Sequence, residues 1–544
     1  MESDSDTRRG NRAAKLRMAS VSQQGVPGFP FDYRGSGILL HVTSLPLSYG
    51  IGDFGSVAMA WIDRLAQAGQ GWWQALPLGP TGFGNSPYQP LSSFAGNVLM
   101  ISPDWLIEDE LLETSDCAHD PFPTAVVDYD AIVPFKRRLL QTAWDHFKAG
   151  KRSDLRPAYE QFCQDQNHWL GDYALFRVLK AKFDNAHYLE WPAELVQRNP
   201  ATLDRERREL ADQIGQVTFA QFLLFRQAER VKAHAHKKGL RLVGDLPFFV
   251  SGDSSDVWSQ PELFLLDQQR RPRFVAGVPP DYFSAQGQLW GNPVYDWNVL
   301  RQSDFRWWIA RLRSLLTHVD VIRLDHFRAF AAAWHVPAGA LTAQPGNWVA
   351  GPGAEFFRAV EKELRSLPFI AEDLGMITPD VNALRDQFHL PGMRILQFAF
   401  DGHADNPYLP DNFVKNTVVY TGTHDNPTTR GWFEDLTSEQ REGIWKYLAS
   451  RGVKNTVAAR ALMETAWSSV AALAIAPFQD LLNLGKEARM NVPGRPEGNW
   501  RWRCTEEMLS DGAFEWLRDL TKNANRSKTL MASDARVLET ASRD

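Results

Sequence analysis

The sequence predicts a protein of the α/β class built on a TIM (β/α)8 barrel. Three observations support this prediction: eight short apolar runs, amphipathic runs of helical period between most of them, and acidic or polar residues directly after the apolar runs. Repeated strand–helix units pack as a parallel sheet covered by helices, and eight such units close into a barrel. The 544 residues leave room for insertions, since one barrel typically takes about 250 residues.

The predicted strands are short and partly β-branched or aromatic, and each is followed by Gly, Pro, Asp or His. They cover residues 37–42, 71–77, 240–246, 319–325, 369–373, 394–400, 417–420 and 472–476. The 3.6-residue period predicts helices at 57–68, 219–238, 305–317, 354–365, 380–388 and 457–468. Thr378-Pro379 is a start signal for the helix at 380–388.

Two stretches interrupt this alternation. Residues 104–217 predict a helical insertion, and the Trp-, Pro- and Gly-rich residues 247–303 predict a loop insertion. Insertions on barrel loops usually build the substrate cleft. We therefore predict one catalytic unit over residues 36–520, with no separate C-terminal β-domain. Residues 1–35 are predicted to be a flexible tail without a secretory signal, and residues 521–544 a C-terminal extension.

Composition and charge exclude several classes of protein. The net charge of −6 argues against a dedicated nucleic-acid binder. Three scattered cysteines support neither a disulfide framework nor a zinc site, and they fit a reducing compartment. The longest apolar run, within 470–478, is far shorter than the about 20 residues that span a bilayer. We predict a cytoplasmic protein without a membrane or nucleic-acid partner, and its oligomeric state stays open.

Twenty tryptophans are the outlier of the composition. Large cores are one explanation. Carbohydrate binding is the other, because a flat aromatic ring packs on the apolar face of a sugar while polar side chains bind its hydroxyls.

One glycine motif suggests a dinucleotide-binding site, but the acidic residue that such a site also needs is missing. Residues 50–55 match GxGxxG between a predicted strand and a predicted helix. A dinucleotide site also needs an acid near the end of the second strand, and residues 72–79 contain none. His234 and His236 lie two apart on a predicted helix and face different sides, so they cannot share a metal. Neither feature supports a nucleotide or a metal site, and the sequence implies no cofactor.

Acidic residues lie at the C-terminal ends of four of the predicted strands. Arg323 and Asp325 lie two apart, so they project to the same side of one strand, where Arg323 keeps Asp325 ionised. Glu372, Asp425 and Asp245 follow or end three other strands. Any single acid has a simpler explanation as a helix cap or an ion-pair partner. Four together, at the end where barrel enzymes place their chemistry, favour a site with paired carboxylates, as in glycoside chemistry.

At these residues the sequence resembles the 4-α-glucanotransferases called amylomaltases or disproportionating enzymes, which are relatives of the α-amylases. The resemblance covers about residues 36–520. Its motifs are HVTSLP (41–46), GNSPYQ (84–89), GDLP (244–247), GVPPDYF (277–283), LWGNP (289–293), RLDHFR (323–328), AEDLG (371–375) and THDN (423–426). The stretch 277–283 is the most specific, because general α-amylases lack it. Ala329 departs from the family, which usually has Gly there.

The resemblance implies a role for each of these residues. Asp325 is the implied nucleophile, Glu372 the general acid and base, and Asp425 the carboxylate that binds the sugar hydroxyls in the transition state. The implied substrate-binding residues are Arg323, His326, His424, Tyr88, Ser86, Asp245, Tyr282, Phe283, Trp290, Asn292 and Asp401. For Asp245, substrate binding and the holding of loops remain equal alternatives.

The implied activity is retaining transfer of α-1,4-glucan segments from one maltooligosaccharide or amylose to the 4-hydroxyl of another. The aromatic loop with Tyr282, Phe283 and Trp290 is predicted to bind the acceptor and exclude water. The alternative is an α-1,4-glucan hydrolase of the amylase group. A catalytically dead barrel is disfavoured because Asp325, Glu372 and Asp425 are all present.

Overall fold

A closed barrel of eight parallel strands forms the centre of the computed structural model, which describes residues 34–280 and 285–527. The strands in these ranges are β1 Gly35–Leu39, β2 Trp72–Gln74, β3 Arg241–Leu246, β4 Phe274–Val278, β5 Gln288–Pro293, β6 Val321–Leu324, β7 Ala332–Pro337, β8 Asn347–Ala350, β9 Phe369–Ala371, β10 Gly392–Ile395, β11 Thr417–Tyr420 and β12 Leu473–Pro477. Around the barrel their order is β1-β12-β11-β10-β9-β6-β3-β2. All eight predicted strands lie in this barrel, which confirms the predicted fold class.

Strand register places the functional residues side by side. Asp245 on β3 pairs with Arg323 on β6. Leu324 pairs with Ala371 across β6 and β9, so the next residues, Asp325 and Glu372, leave the sheet together. Barrel strands are buried on both faces, which explains their continuous apolar runs. The polar residues are therefore confined to the strand ends.

The helices cover the barrel and fill the first insertion. They are α1 Ser56–Gln67, α2 Pro103–Glu108, α3 Tyr129–Lys148, α4 Arg156–Asp165, α5 Leu170–Lys182, α6 Ala193–Val196, α7 Pro200–Glu209, α8 Ala211–Lys237, α9 Ser255–Ser259, α10 Trp297–Gln302, α11 Arg306–His318, α12 Gly353–Leu364, α13 Pro379–Gln387, α14 Thr429–Asp435, α15 Ser438–Ser450, α16 Ala458–Ser468, α17 Phe478–Leu481 and α18 Asp511–Asn523. No helix in the described ranges is long and apolar enough to cross a membrane.

A second, antiparallel sheet lies beside the barrel in the order β5-β4-β7-β8. Two of its strands, β4 and β5, fall within residues 247–303, which the sequence predicts to be a loop insertion. These strands are short and contain Gly and Pro, and β4 also pairs with β7, which lies beyond β6. Local sequence does not signal such a distant pairing.

The two chain ends lie mostly outside the described residues. Of the predicted tail, the structure describes only Arg34 and Gly35. Of the predicted extension, it describes residues 521–527, where Arg526 is buried and donates to the carbonyl oxygens of Gly35 and Trp467. Residues up to Arg526 therefore pack against the barrel.

The glycine motif at residues 50–55 is a packing feature. A Cβ on Gly52 would lie 2.1 Å from the carbonyl oxygen of Val42, and a Cβ on Gly55 would lie 2.3 Å from Ser102 Oγ. The glycines let this turn pack tightly against the loop after β1 and the start of α2. The turn is closed where a dinucleotide site would need open backbone for a pyrophosphate.

Replacing Gly52 with alanine is expected to lower the free energy of unfolding by about 1–3 kcal/mol, because the new methyl group would overlap rigid backbone. Urea unfolding followed by circular dichroism measures the loss. Gly171 on α5 is the matched control, since nothing lies within 4 Å of a Cβ there. An unchanged unfolding midpoint for Gly52→Ala would contradict this packing role.

Candidate active site

The carboxyl ends of β3, β6, β9 and β11 bring four acids together around one guanidinium. Arg323 Nη1 donates to both carboxylate oxygens of Asp245 at 2.9 Å and to Oδ1 of Asp325 at 2.8 Å. Arg323 and Asp245 are almost fully buried, whereas the Asp325 side chain is 27% exposed. Arg323 thus orients Asp325 while Asp325 remains reachable from the cleft.

Tyr88 closes the buried side of this cluster. Its hydroxyl donates to Asp245 Oδ2 at 2.8 Å. Burial raises the pKa of Tyr88 well above its usual value, and the charge of Asp245 adds to this, so the phenol stays protonated. The ring stacks on His424 with centroids 5.0 Å apart, and Trp500 lies 5.6 Å from it. Asp245 therefore binds both Arg323 and Tyr88 on the buried side of the cluster.

Glu372 is held by backbone donors on the neighbouring strand end. Its Oε2 accepts from the His326 amide at 2.7 Å, and its Oε1 accepts from the Leu374 amide at 3.1 Å. His326 has a φ of 52°, a left-handed conformation that is uncommon for a residue with a side chain. The unusual backbone turn after Asp325 thus supplies a hydrogen bond to Glu372.

Burial changes the acidity of both central carboxyls. It raises the pKa of Glu372 to about 8, with the charge of Asp325 adding to the rise and Arg323 opposing it. It raises the pKa of Asp325 to about 7, again against the effect of Arg323. Since Arg323 donates to Asp325 directly, the proton that the pair holds near neutral pH sits on Glu372. The site therefore combines one carboxylate and one carboxylic acid.

Asp425 is positioned by His424 and by two residues that no sequence motif indicated. Asn491 Nδ2 donates to Asp425 Oδ1 at 2.6 Å, and His424 Nε2 lies 3.4 Å from the same oxygen. Arg489 donates to the backbone oxygens of Asp425 at 2.6 Å and of Asn491 at 2.7 Å. The Asp425 side chain remains 46% exposed. Asn491 and Arg489 lie outside every motif quoted above, so no sequence signal pointed to them.

Asp480 anchors both ends of the loop that carries His424 and Asp425. The hydroxyls of Thr421 and Thr429 each donate to Asp480 Oδ2 at 2.6 Å. The Thr429 amide donates to Asp480 Oδ1 at 2.7 Å. Burial raises the pKa of Asp480, and these three donors oppose the rise. No motif in the sequence pointed to this anchor.

Trp290 on β5 of the second sheet packs against His326, which follows β6 of the barrel. Their rings meet edge to face with centroids 4.8 Å apart. Burial lowers the pKa of His326 to about 3, so the ring is neutral. His326 Nε2 is buried and has no hydrogen-bond partner among the described residues.

Three other predicted substrate-binding residues form hydrogen bonds with backbone groups of nearby loops. Ser86 Oγ accepts from the Tyr88 amide at 3.2 Å. Asn292 is buried and donates to the Val250 carbonyl oxygen at 2.7 Å. Asp401 is exposed and accepts from the His403 amide at 3.0 Å. These contacts shape the loops around the site.

Tyr282 and Phe283 lie outside the described residues. Over 34–280 and 285–527, no group of three or more His, Cys, Asp or Glu side chains is arranged to hold a metal ion.

Comparisons with known proteins agree with this geometry. A protein family described as 4-alpha-glucanotransferase matches residues 40–509. A 4-alpha-glucanotransferase from Synechocystis is 48% identical over 88% of this chain and 95% of its own length. One from Thermus thermophilus is 44% identical over 91% of this chain and 99% of its own length.

A solved structure agrees as well. The amylomaltase from Streptococcus agalactiae in complex with acarbose superposes with a TM-score of 0.87 and is 37% identical. The match covers 91% of this chain and 100% of that one. These findings favour transfer over the alternative of an α-glucan hydrolase. The chain belongs to the 4-α-glucanotransferase family and is an enzyme that acts on α-1,4-glucans.

Proposed function

We propose that Asp325 and Glu372 carry out the retaining transfer of α-1,4-glucan segments between maltooligosaccharide or amylose chains. The observation that supports this most directly is the difference between their hydrogen-bond partners: Arg323 donates to Asp325, while Glu372 is half-buried and accepts only from backbone amides in the described residues. A retaining glycoside site needs one carboxylate that attacks and one carboxylic acid that protonates the leaving oxygen.

In the first half of the reaction, Asp325 attacks the anomeric carbon of the donor, and Glu372 gives its proton to the leaving glucan. A covalent β-glucosyl enzyme results. Asp425 binds hydroxyls of the same sugar and stabilises the positive charge of the transition state. Asn491 and His424 keep Asp425 oriented for this task.

In the second half, Glu372 takes the proton from the 4-hydroxyl of an acceptor glucan as that oxygen attacks the anomeric carbon. The number of glycosidic bonds is unchanged. Transfer requires that an acceptor sugar, rather than water, occupies the cleft. Trp290, which is half-buried beside His326, supplies an aromatic ring for an acceptor.

Maltotriose tests this function directly. Incubation of the purified chain is expected to give both shorter and longer glucans, including glucose, while the total of reducing ends stays constant. Chromatography of the products and a reducing-end assay over time measure the two quantities. Reducing ends that rise in step with maltotriose consumption would identify hydrolysis and would contradict the proposal.

We also propose a cytoplasmic location. The three cysteines, Cys117, Cys163 and Cys504, are all free, as is usual in a reducing compartment. Fractionation of producing cells tests this, and recovery of the chain from the secreted or membrane fraction would contradict it.

A further inference from the structure

A second cleft of about 410 Å³ lies between α15, α16 and α18. Among its lining residues are Arg451, Glu464, Ser468, Trp516, Asp519 and Asn523. Ser468 ends α16 just before β12 begins, so the cleft lies near the amino-terminal end of the barrel strands. The catalytic carboxylates lie at the opposite, carboxyl-terminal end. The cleft is therefore separate from the active site.

The chemistry of the cleft combines one aromatic ring with uncharged polar groups. Trp516 is half-buried and lines the cleft. Ser468 and Asn523 present a hydroxyl and an amide that make no side-chain hydrogen bonds to other described residues. The indole offers an apolar surface, and these groups offer donors and acceptors. A ligand with an apolar face and several hydroxyls matches both.

The charges around the cleft disfavour ionic ligands. Glu464 and Asp519 line the cleft with Arg451, which is paired with Asp411, and the Arg518 Nε lies 3.8 Å from Asp519 Oδ1. Together with Arg460 these charges balance, so neither an anion nor a cation meets a net opposite charge. The Arg460 guanidinium lies 4.9 Å from the centroid of the Trp516 ring. A cationic ligand would be repelled from the same ring. A neutral polyhydroxylated ligand is the class that remains.

We propose that this cleft is a second binding site for an α-1,4-glucan segment. Its volume is within the range of about 300–1,000 Å³ that is typical of small-molecule sites. The proposal rests on the proposed function, because a polymeric α-glucan substrate supplies the long chain that can occupy the cleft and the active site together. Engagement of two sites on one chain raises the apparent affinity for long glucans and leaves short ones unaffected.

The test compares long and short substrates in the full-length chain. Trp516→Ala is expected to raise KM for long amylose by about 3- to 10-fold and to change kcat/KM for maltotriose by less than about twofold. Native electrophoresis through gels containing amylopectin is expected to show less retardation of the variant. The control is Glu515→Ala, an exposed neighbour on α18 that does not line the cleft.

A second variant covers the case in which Trp516→Ala fails to fold. Asp519→Ala combined with Asn523→Ala changes two exposed positions in the cleft and is expected to have the same effects. Unchanged KM for amylose and unchanged retardation in a folded variant would overturn the proposal. Failure of the wild-type chain to disproportionate maltotriose would instead overturn the proposed function, and the gel comparison would still decide whether the cleft binds glucan.

Discussion

Replacing Asp325 with glycine is expected to lower the rate of glucan transfer by about 10⁴-fold or more, because the covalent intermediate can no longer form. The fold is expected to survive, since Asp325 is partly exposed and Arg323 keeps Asp245 as its partner. Transfer from maltotriose measures the loss. A loss of less than about tenfold, or 1.4 kcal/mol of transition-state stabilisation, would contradict the role of nucleophile.

Azide distinguishes the two central carboxyls by the stereochemistry of its product. With α-maltotriosyl fluoride as donor, azide that enters the space left by Asp325→Gly attacks opposite the fluoride and gives a β-glycosyl azide. With Glu372→Ala, Asp325 still forms the β-linked intermediate, and azide attacks from the other face to give an α-glycosyl azide. Nuclear magnetic resonance of the products reads the anomer. The same anomer from both variants would refute the assigned roles.

Replacing Arg323 with methionine is expected to cost about 3–5 kcal/mol of stability, because buried Asp245 would lose its charged partner. It is also expected to raise the pKa of Asp325, since Arg323 lowers that pKa in the wild-type chain. Asp325 must be ionised to attack. The acidic limb of the kcat/KM profile should therefore move to higher pH.

Asp245→Asn is the matched variant, and it is expected to shift the pKa of Asp325 in the opposite direction. The charge of Asp245 raises the pKa of Asp325, so its removal should lower that pKa and move the acidic limb to lower pH. Urea unfolding and the pH dependence of kcat/KM measure both variants. Acidic limbs that shift in the same direction would contradict the electrostatic role assigned to the Asp245–Arg323–Asp325 cluster.

The barrel was predictable because its signals are local. Each barrel strand is a short buried run, and the structure places all eight in the predicted positions to within a few residues. The largest difference is at residues 394–400, where the strand is Gly392–Ile395 and a 3₁₀ turn follows over Leu396–Phe398. The second sheet was missed because β4 and β5 are short and contain Gly and Pro, and because the pairing of β4 with β7 joins parts of the chain that are distant in sequence.

The core accounts for many of the tryptophans, and sugar binding stays a proposal for Trp290. Trp61, Trp308 and Trp467 are fully buried in the core. Trp290 and Trp500 instead lie against His326 and Tyr88 at the site. Composition alone cannot separate tryptophans in the core from tryptophans at the site, because in both places a large ring packs against other side chains.

The acids of the site were predictable, but their supports were not. Asp325, Glu372 and Asp425 follow barrel strands, and this topology brings them together. Asp480 and Asn491 act on the same site from irregular or short segments, so only the folded chain reveals them. Their contacts are side chain to loop, and such contacts leave no periodic pattern in a sequence.

Trapping of the glycosyl enzyme tests the central claim most directly. In Glu372→Gln, α-maltotriosyl fluoride still glycosylates the enzyme because fluoride leaves without a proton, but the acceptor hydroxyl has no base and the intermediate accumulates. Peptic digestion and mass spectrometry should then find a maltotriosyl group on the peptide that contains Asp325. The double variant with Glu372→Gln and Asp325→Asn should carry no such group. A label on Asp425 or another carboxylate, or turnover without any labelled peptide, would contradict the account.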